Sequence, residues 1–286
     1  MKEFFKNHGI EQFSLIPLNR CKILKGYLLE KNGFSENDNA ILFLIPYRNE
    51  NTPINLTSYA SVLDYHGFVN NLKAELEIYV KDKYPKGKFC LFADHSPIDE
   101  VHASCISGLG FIGDNGLLIN EKYSSFVFLA ECVTDLTDKE LGLEYAPEIS
   151  VKECMHCGRC ARLCPAGCIG ENRKPKSQCL SAITQKKNDL TDDEIKMMLE
   201  NGSIWGCDVC QNACPYTKNA SFTEIDYFKT DVITLLDRKT LDGLSDEELS
   251  ARPFAWRGRS VISRNVDLYE NRNEILKRLS EGNSDD

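Results

Sequence analysis

Apolar positions recur along the chain with two different periods, and these lay out its elements. Residues 40–47 (Ala-Ile-Leu-Phe-Leu-Ile-Pro-Tyr) are an unbroken apolar run closed by a proline. Such a run predicts a strand buried on both faces, of the kind found inside an α/β sheet. Between residues 57 and 83, Val62, Tyr65, Val69, Leu72, Leu76 and Tyr79 alternate spacings of three and four. That pattern predicts one long amphipathic helix, stopped by Pro85 and Gly87. A short strand is expected over 88–94, with Asp94 at its C-terminal end, where ligand sites of α/β sheets tend to lie. A helix follows over 97–107, with Pro97 in its first turn. Residues 124–134 are rich in β-formers and predict a third strand. Residues 135–150 form an acidic linker, and the polar C-terminal stretch is expected to be helical.

Four glycines, Gly108, Gly110, Gly113 and Gly116, mark a turn whose backbone must approach something closely. Their spacing fits G-x-G-x-x-G. A dinucleotide fingerprint follows a strand and opens a helix, whereas this segment follows a predicted helix and runs into apolar Leu117-Leu118-Ile119, so a nicotinamide site is not expected.

Composition changes the picture mainly through its 13 cysteines in 286 residues. The opening Met1-Lys2-Glu3-Phe4-Phe5 leads into polar sequence without the apolar core of an export signal, and no apolar run approaches membrane-spanning length. A thiol-rich chain of this kind is expected in the reducing cytoplasm, with its clustered cysteines serving metal or redox chemistry rather than disulfides. The net charge of −9 argues against a broadly basic nucleic-acid surface.

Two cysteine runs dominate the second half. The first is Cys154-x2-Cys157-x2-Cys160-x3-Cys164-Pro165 and the second is Cys207-x2-Cys210-x3-Cys214-Pro215. The first has the bacterial ferredoxin spacing, in which three thiolates hold one 4Fe–4S cluster and the fourth reaches to a second. A complete second run would need a cysteine at position 204, which is Ile204. Two clusters need eight thiolates and the runs supply seven. Cys168 and Cys179 are the candidates for the eighth. Cys168 sits within the turn after Pro165, whereas Cys179 follows a flexible Lys/Pro/Ser stretch that lets it swing back, which favours Cys179. One cluster is then held by Cys154, Cys157, Cys160 and Cys214, and the other by Cys164, Cys179, Cys207 and Cys210. A zinc site is the plainer alternative for two C-x-x-C pairs, but the doubled Cys-Pro spacing points to iron–sulfur. The leftover thiols Cys21, Cys90, Cys105, Cys132 and Cys168 are expected to pack as small apolar residues.

Five stretches, taken in order, resemble the epoxyqueuosine reductase family. Tyr59-Ala60 with Asp64-Tyr65-His66 is similar to that family's YARGRDYH, and Asp94-x-x-Pro97-x-x-Glu100 to its D-T-x-P-V-x-E. Residues 108–120 are similar to GLGWIGKN…LIN, residues 179–184 to CISYLT, and residues 206–215 to GCDDCQxxCPW. Four family residues are replaced here: the arginine pair by Ser61 and Leu63, the lysine of GKN by Asp114, and the tyrosine of CISYLT by Ala182.

The resemblance implies an α+β protein: a nitroreductase-like, cobalamin-binding α/β domain over 1–145, a ferredoxin-like module with two 4Fe–4S clusters over 146–222, and a short helical tail over 223–286. It implies a short family member without C-terminal helical repeats. Asp94 becomes the proton-donating acid, with Gly113, Asn115, Leu118 and Ser181 among the cobalamin contacts. Asp94 as cap of the following helix is the structural alternative. His66 and His102 lie near the site in sequence, without a role as cobalt ligands. Trp205 and Tyr216 flank cluster cysteines and could shield a cluster or serve as plain core. Arg252, Arg257, Arg259 and Arg264 form a basic cluster that could meet phosphates or be a charged helix face. The implied partners are a ferredoxin- or flavodoxin-type electron donor and tRNA, with no membrane. Two other functions fit the same residues: cobalamin-dependent reduction of a small molecule, in an architecture shared with reductive dehalogenases, and electron transfer by a ferredoxin-type protein without its own substrate.

Overall fold

In the computed structural model, residues 1–147 and 153–281 are described. They divide into two compact units, each assembled from separated stretches of chain. The first comprises residues 1–48, 65–156 and 216–226; the second comprises 49–64, 157–215 and 227–286. This partition differs from the three consecutive segments expected from the sequence, because the chain passes between units several times rather than once.

The first unit is built on strands β1 (Phe13–Pro17), β2 (Asn39–Pro46), β3 (Phe89–Phe92), β4 (Phe111–Ile112), β5 (Leu118–Ile119) and β6 (Val127–Thr134). Four of them form one sheet in the order β1-β2-β6-β3, and β4 and β5 make a separate hairpin. The apolar run at 40–47 becomes β2, every residue of which is buried. It pairs antiparallel with β1 on one side and β6 on the other. All pairings of this sheet are antiparallel, unlike the parallel sheet that so continuous a run usually signals.

The helix expected over 57–83 is two helices, Ser58–Ser61 and Tyr65–Lys83, and the break between them is also a change of unit. The longer helix buries Phe68, Val69, Leu72, Leu76 and Val80, which is the face its periodicity predicted. The expected linker holds a short helix, Asp138–Leu141, started by a Thr137–Glu140 capping box; its last positions, 148–150, lie outside the described residues. Residues 216–226 complete the first unit: Ser124 Oγ lies 3.0 Å from Thr217 Oγ1, and the Arg48 guanidinium donates to the Ala220 carbonyl at 2.7 Å.

The second unit is mostly helical. Its main core joins Leu56 and Ala60 to Ile204 and Trp205, and to Leu241, Phe254, Val261, Ile262 and Val266 from the C-terminal stretch. The expected helical tail is thus helical, over Arg238–Gly243, Asp246–Ser250, Arg259–Glu270 and Arg272–Glu281. It also supplies much of this core. Among the described residues no helix is long and apolar enough to cross a membrane.

Candidate functional site

Asp94 lies two residues beyond β3, in a turn where its φ is +62°. The left-handed region costs a non-glycine residue about 1 kcal/mol or more, so neighbouring bonds must hold the turn. The Asp94 amide donates to Glu100 Oε1 at 3.3 Å, and Ser96 Oγ both accepts from the Ile98 amide at 3.0 Å and reaches Glu131 Oε1 at 2.5 Å. The helix that follows, Glu100–Ile106, is capped by Asp99, whose carboxylate accepts from the His102 amide. Asp94 is therefore not the cap. Its carboxyl group is 76% exposed and its Oδ2 stands 4.0 Å from His66 Nε2. His95 beside it receives Lys25 Nζ on Nδ1 at 3.1 Å and faces the Tyr27 hydroxyl at 3.2 Å through Nε2. Leu24 and Tyr27 are exposed, and the Leu24 amide bonds to Pro97 of the same turn.

Two acids lie under this turn: Glu100, which closes the Asp94-x-x-Pro97-x-x-Glu100 motif without having been given a role, and Glu131, which the sequence did not single out. Glu131 sits in β6, opposite Leu42 on one side and Phe92 on the other, and is fully buried. Burial pushes its carboxyl well above the usual range, the nearby Glu100 charge pushes it further, and the Ser96 bond acts the other way. Burial likewise raises Glu100 to about 7, against the opposing bond from the Asp94 amide. Glu131 Oε2 is buried with no N–H or hydroxyl donor facing it. The signal available in the sequence was a single acid inside the β-forming run Phe-Leu-Ala-Glu-Cys-Val.

The glycine-rich segment folds into the β4–β5 hairpin. A side chain at Gly110 would strike the Ile119 carbonyl oxygen at 2.5 Å. What that backbone approaches is the hairpin's own second strand. The Gly113 amide bonds to the Leu117 carbonyl, and Asn115 Oδ1 accepts from the Leu117 amide at 3.2 Å, closing the turn. Leu118 is buried in the core of the first unit, with Ile16, Leu42 and Leu109. Ser181 lies in the second unit, in the short helix Leu180–Ile183. Tyr216 packs its ring on Phe111 at 5.0 Å within the first unit, and Trp205 is fully buried in the core of the second.

The second unit draws cysteines together. The helix Arg159–Leu163, which carries Cys160, packs against Val209–Asn212, which carries Cys210. Burial raises the Cys207 thiol to about 11, and the nearby Cys179, Asp208 and Cys164 raise it further. Thiols gathered so closely resist ionising together, and iron bound to them relieves that repulsion, so this donor set suits a cluster. Ile204, where the second run lacks its cysteine, is fully buried in the apolar core, and its amide bonds to the Asn55 carbonyl. A ligand could not project from that position. Cys168 is buried, with its Sγ 3.4 Å from the Pro175 carbonyl oxygen, while its amide donates to Cys164 Sγ at 3.3 Å. In the first unit, Cys154 Sγ lies near Asp114 and His156, the three ligand atoms all within 4.8 Å of one another. His156 Nδ1 is 2.7 Å from Asp114 Oδ1.

Local support for the second cysteine run comes from Asp208 and Gly206. Asp208 is buried and accepts from the Ser58 amide at 2.7 Å and from Gln211 Nε2 at 2.8 Å; burial raises its carboxyl and those bonds oppose the rise. Gly206 has a φ of +75°, and a Cβ there would meet the Thr57 side chain at 2.6 Å.

The basic cluster is less available than the sequence suggests. Arg252 is buried and donates to the Asp231 carbonyl, Arg259 to the Leu241 and Leu244 carbonyls, and Arg264 to the Asn188 carbonyl. Arg257 stacks on exposed Trp256 at 3.6 Å.

Residues 153–217 match the family model for a 4Fe-4S double cluster binding domain, a span that contains both cysteine runs as well as Cys168 and Cys179. Over 211 residues the chain is 29% identical to an epoxyqueuosine reductase of Listeria monocytogenes, covering 71% of this chain and 53% of that protein. Over 219 residues it is 30% identical to one of Lactococcus garvieae, covering 71% and 57%.

The chain is homologous to the epoxyqueuosine reductases.

It spans about half the length of these curated relatives. A solved epoxyqueuosine reductase with a tRNA-Tyr epoxyqueuosine-modified stem loop shares its fold, with a TM-score of 0.72 at 21% identity, covering 93% of this chain and 79% of that one.

Proposed function

We propose that this chain is an iron–sulfur and cobalamin-dependent reductase that removes the epoxide oxygen of epoxyqueuosine in tRNA. The observation that carries the reading is the double-cluster domain at 153–217, set in a chain whose curated relatives are epoxyqueuosine reductases. The reaction consumes two electrons and two protons; the epoxide becomes an alkene and its oxygen leaves as water.

Cys154, Cys157, Cys160 and Cys214 hold one cluster, and Cys164, Cys179, Cys207 and Cys210 the other. Cys179 and Cys164 both act on the Cys207 thiol, which supports this second set, and Cys168 is engaged with a carbonyl instead. Exposed Leu24 and Tyr27 beside the Asp94 turn offer uncovered apolar surface that suits one face of a large macrocycle. Bound cobalamin supplies a low-valent metal for the reduction. Gly113, Asn115, Leu118 and Ser181 are its proposed neighbours, with Leu118 contributing through its backbone since its side chain is core. Asp94 would be the acid that passes a proton to the leaving oxygen. A small iron–sulfur or flavin protein in the cytoplasm delivers the electrons, and the first unit is a nitroreductase-like fold.

The test is an anaerobic assay of the full chain with reductant, cobalamin and epoxyqueuosine-containing tRNA. Queuosine formation is expected; its absence from protein carrying both clusters and bound cobalamin overturns the substrate. A second reading, reduction of a small molecule, is favoured by one observation: three of the four clustered arginines are tied to backbone carbonyls.

A further inference from the structure

We propose that Glu131 and Glu100 hold one proton between them, and that this shared proton positions the turn bearing Asp94. The inference rests on the reading of Asp94 as proton donor only for its catalytic consequence, because the geometry stands by itself.

Glu131 lies on the central strand β6, fully buried, and one of its oxygens is occupied by Ser96 Oγ at 2.5 Å. Its other oxygen is buried and faces no donor. A buried carboxylate oxygen without a donor is destabilising, because its lost hydration is not replaced. A proton shared with the neighbouring Glu100 carboxyl removes that cost. Glu100 in turn accepts the Asp94 amide on Oε1. Both ends of the turn are thus tied to the acid pair: residue 94 through Glu100 and residue 96 through Glu131. Between them, Asp94 is held at a φ that it would otherwise leave.

Among the described residues, no other group nearby substitutes for the proton. Asp94 and Lys25 face Glu100, and Lys25 Nζ is engaged with His95. Around Glu131 stand the thiols of Cys21, Cys90 and Cys132, all raised mainly by burial and therefore neutral at ordinary pH. Loss of the shared proton leaves two like charges together in a low-dielectric setting. The cheapest relief is for Glu100 to swing towards solvent, releasing the Asp94 amide. Glu131 and Glu100 are therefore positioning residues, and Asp94 is held in place only while the pair keeps its proton.

The experiment uses the full chain without cobalamin or substrate. Infrared spectra report protonated carboxyl groups, and amide exchange followed by NMR reports protection at Asp94. As pH rises through about 7 the unaltered protein is expected to lose one of two protonated-carboxyl bands, that of Glu100, and to keep the other, the shared proton, because Glu131 is held well above the usual range. Asp94 protection persists through this step, after correction for the intrinsic exchange rate, and falls several-fold only at the higher pH at which the second band is lost. Glu131→Gln is expected to abolish the second band and the fall in protection that accompanies its loss, because the amide N–H donates to an ionised Glu100. Glu100→Gln removes the band lost through about pH 7 and leaves buried Glu131 protonated, while keeping an acceptor for the Asp94 amide. If no carboxyl stays protonated above about pH 7, or if Asp94 protection follows the same course in Glu131→Gln, the proposal is overturned. Should either variant fail to fold, the two readouts on the unaltered protein decide. A chain that passes these tests but makes no queuosine refutes the reductase reading and leaves this one standing.

Discussion

At Asp94 the backbone and the side chain are under separate control: the acid pair fixes the turn, and the carboxyl group points into the open. Asp94→Asn keeps the shape and removes the acid, so turnover should fall by about 10²–10⁴-fold with the tightness of cobalamin binding little changed; assay and binding titration check both halves. The acid pair has a further consequence for stability. The folded protein holds the Glu100 proton up to about pH 7, whereas the unfolded chain releases it near the ordinary 4.5. The stabilisation is full below the unfolded value and lost as pH rises through about 7. Denaturant titrations should show the unaltered protein gaining up to about 3 kcal/mol over Glu100→Gln as pH is lowered across that window. Among the cysteines, Cys179→Ser should cost or convert one of two clusters and Cys168→Ser neither, judged by iron content and electron paramagnetic resonance. The reverse result would reassign the eighth ligand. At this scale the cysteine spacing was readable because ferredoxin ligation is local in sequence. Glu131 was not, since a single acid in a strand acquires meaning only when Glu100, some 30 residues away, is folded against it.

Elements followed the apolar pattern where one face of one segment decided the outcome. β2 and the helix Tyr65–Lys83 are of this kind. The pattern misled between residues 57 and 64, where the three-and-four spacing runs straight through a boundary. Val62 is buried like Val69, Leu72 and Leu76 further on, so periodicity saw no interruption. The break is set by distant partners: the Asp64 amide bonds to the Ala251 carbonyl and the Ser61 carbonyl to the Ile233 amide. The glycine turn was located correctly, and its demand for closeness is met by the β4–β5 pairing. Gly110→Ala should therefore destabilise the protein by about 1–3 kcal/mol, seen as a lowered Tm with the clusters intact. Asp208→Ala strands the Ser58 amide and removes the bond from Gln211, at a cost of about 1–3 kcal/mol. Because Asp208 adjoins Cys207, iron should also be lost faster to a chelator than from the unaltered protein.

For the whole molecule, the content of the two units was legible but their boundaries were not. The sequence separates a cysteine module from an α/β part by composition, which is a local property. Interleaved segments carry no such mark: residues 49–64 and 216–226 look like ordinary loop and helix, yet each completes the unit it returns to. The C-terminal helices belong to the second unit's core through Val261, Ile262 and Val266. Ending the chain at Gly258 should thus expose that core, giving protein that aggregates or fails to retain iron, seen in thermal melts and iron content.

The interleaving also sets an order of events during translation. The first unit cannot close until residue 226 has left the ribosome, because its last stretch is 216–226. By then every cysteine of the chain has been synthesised, Cys214 being the last. All 13 thiols are thus in the chain before the first unit can be completed.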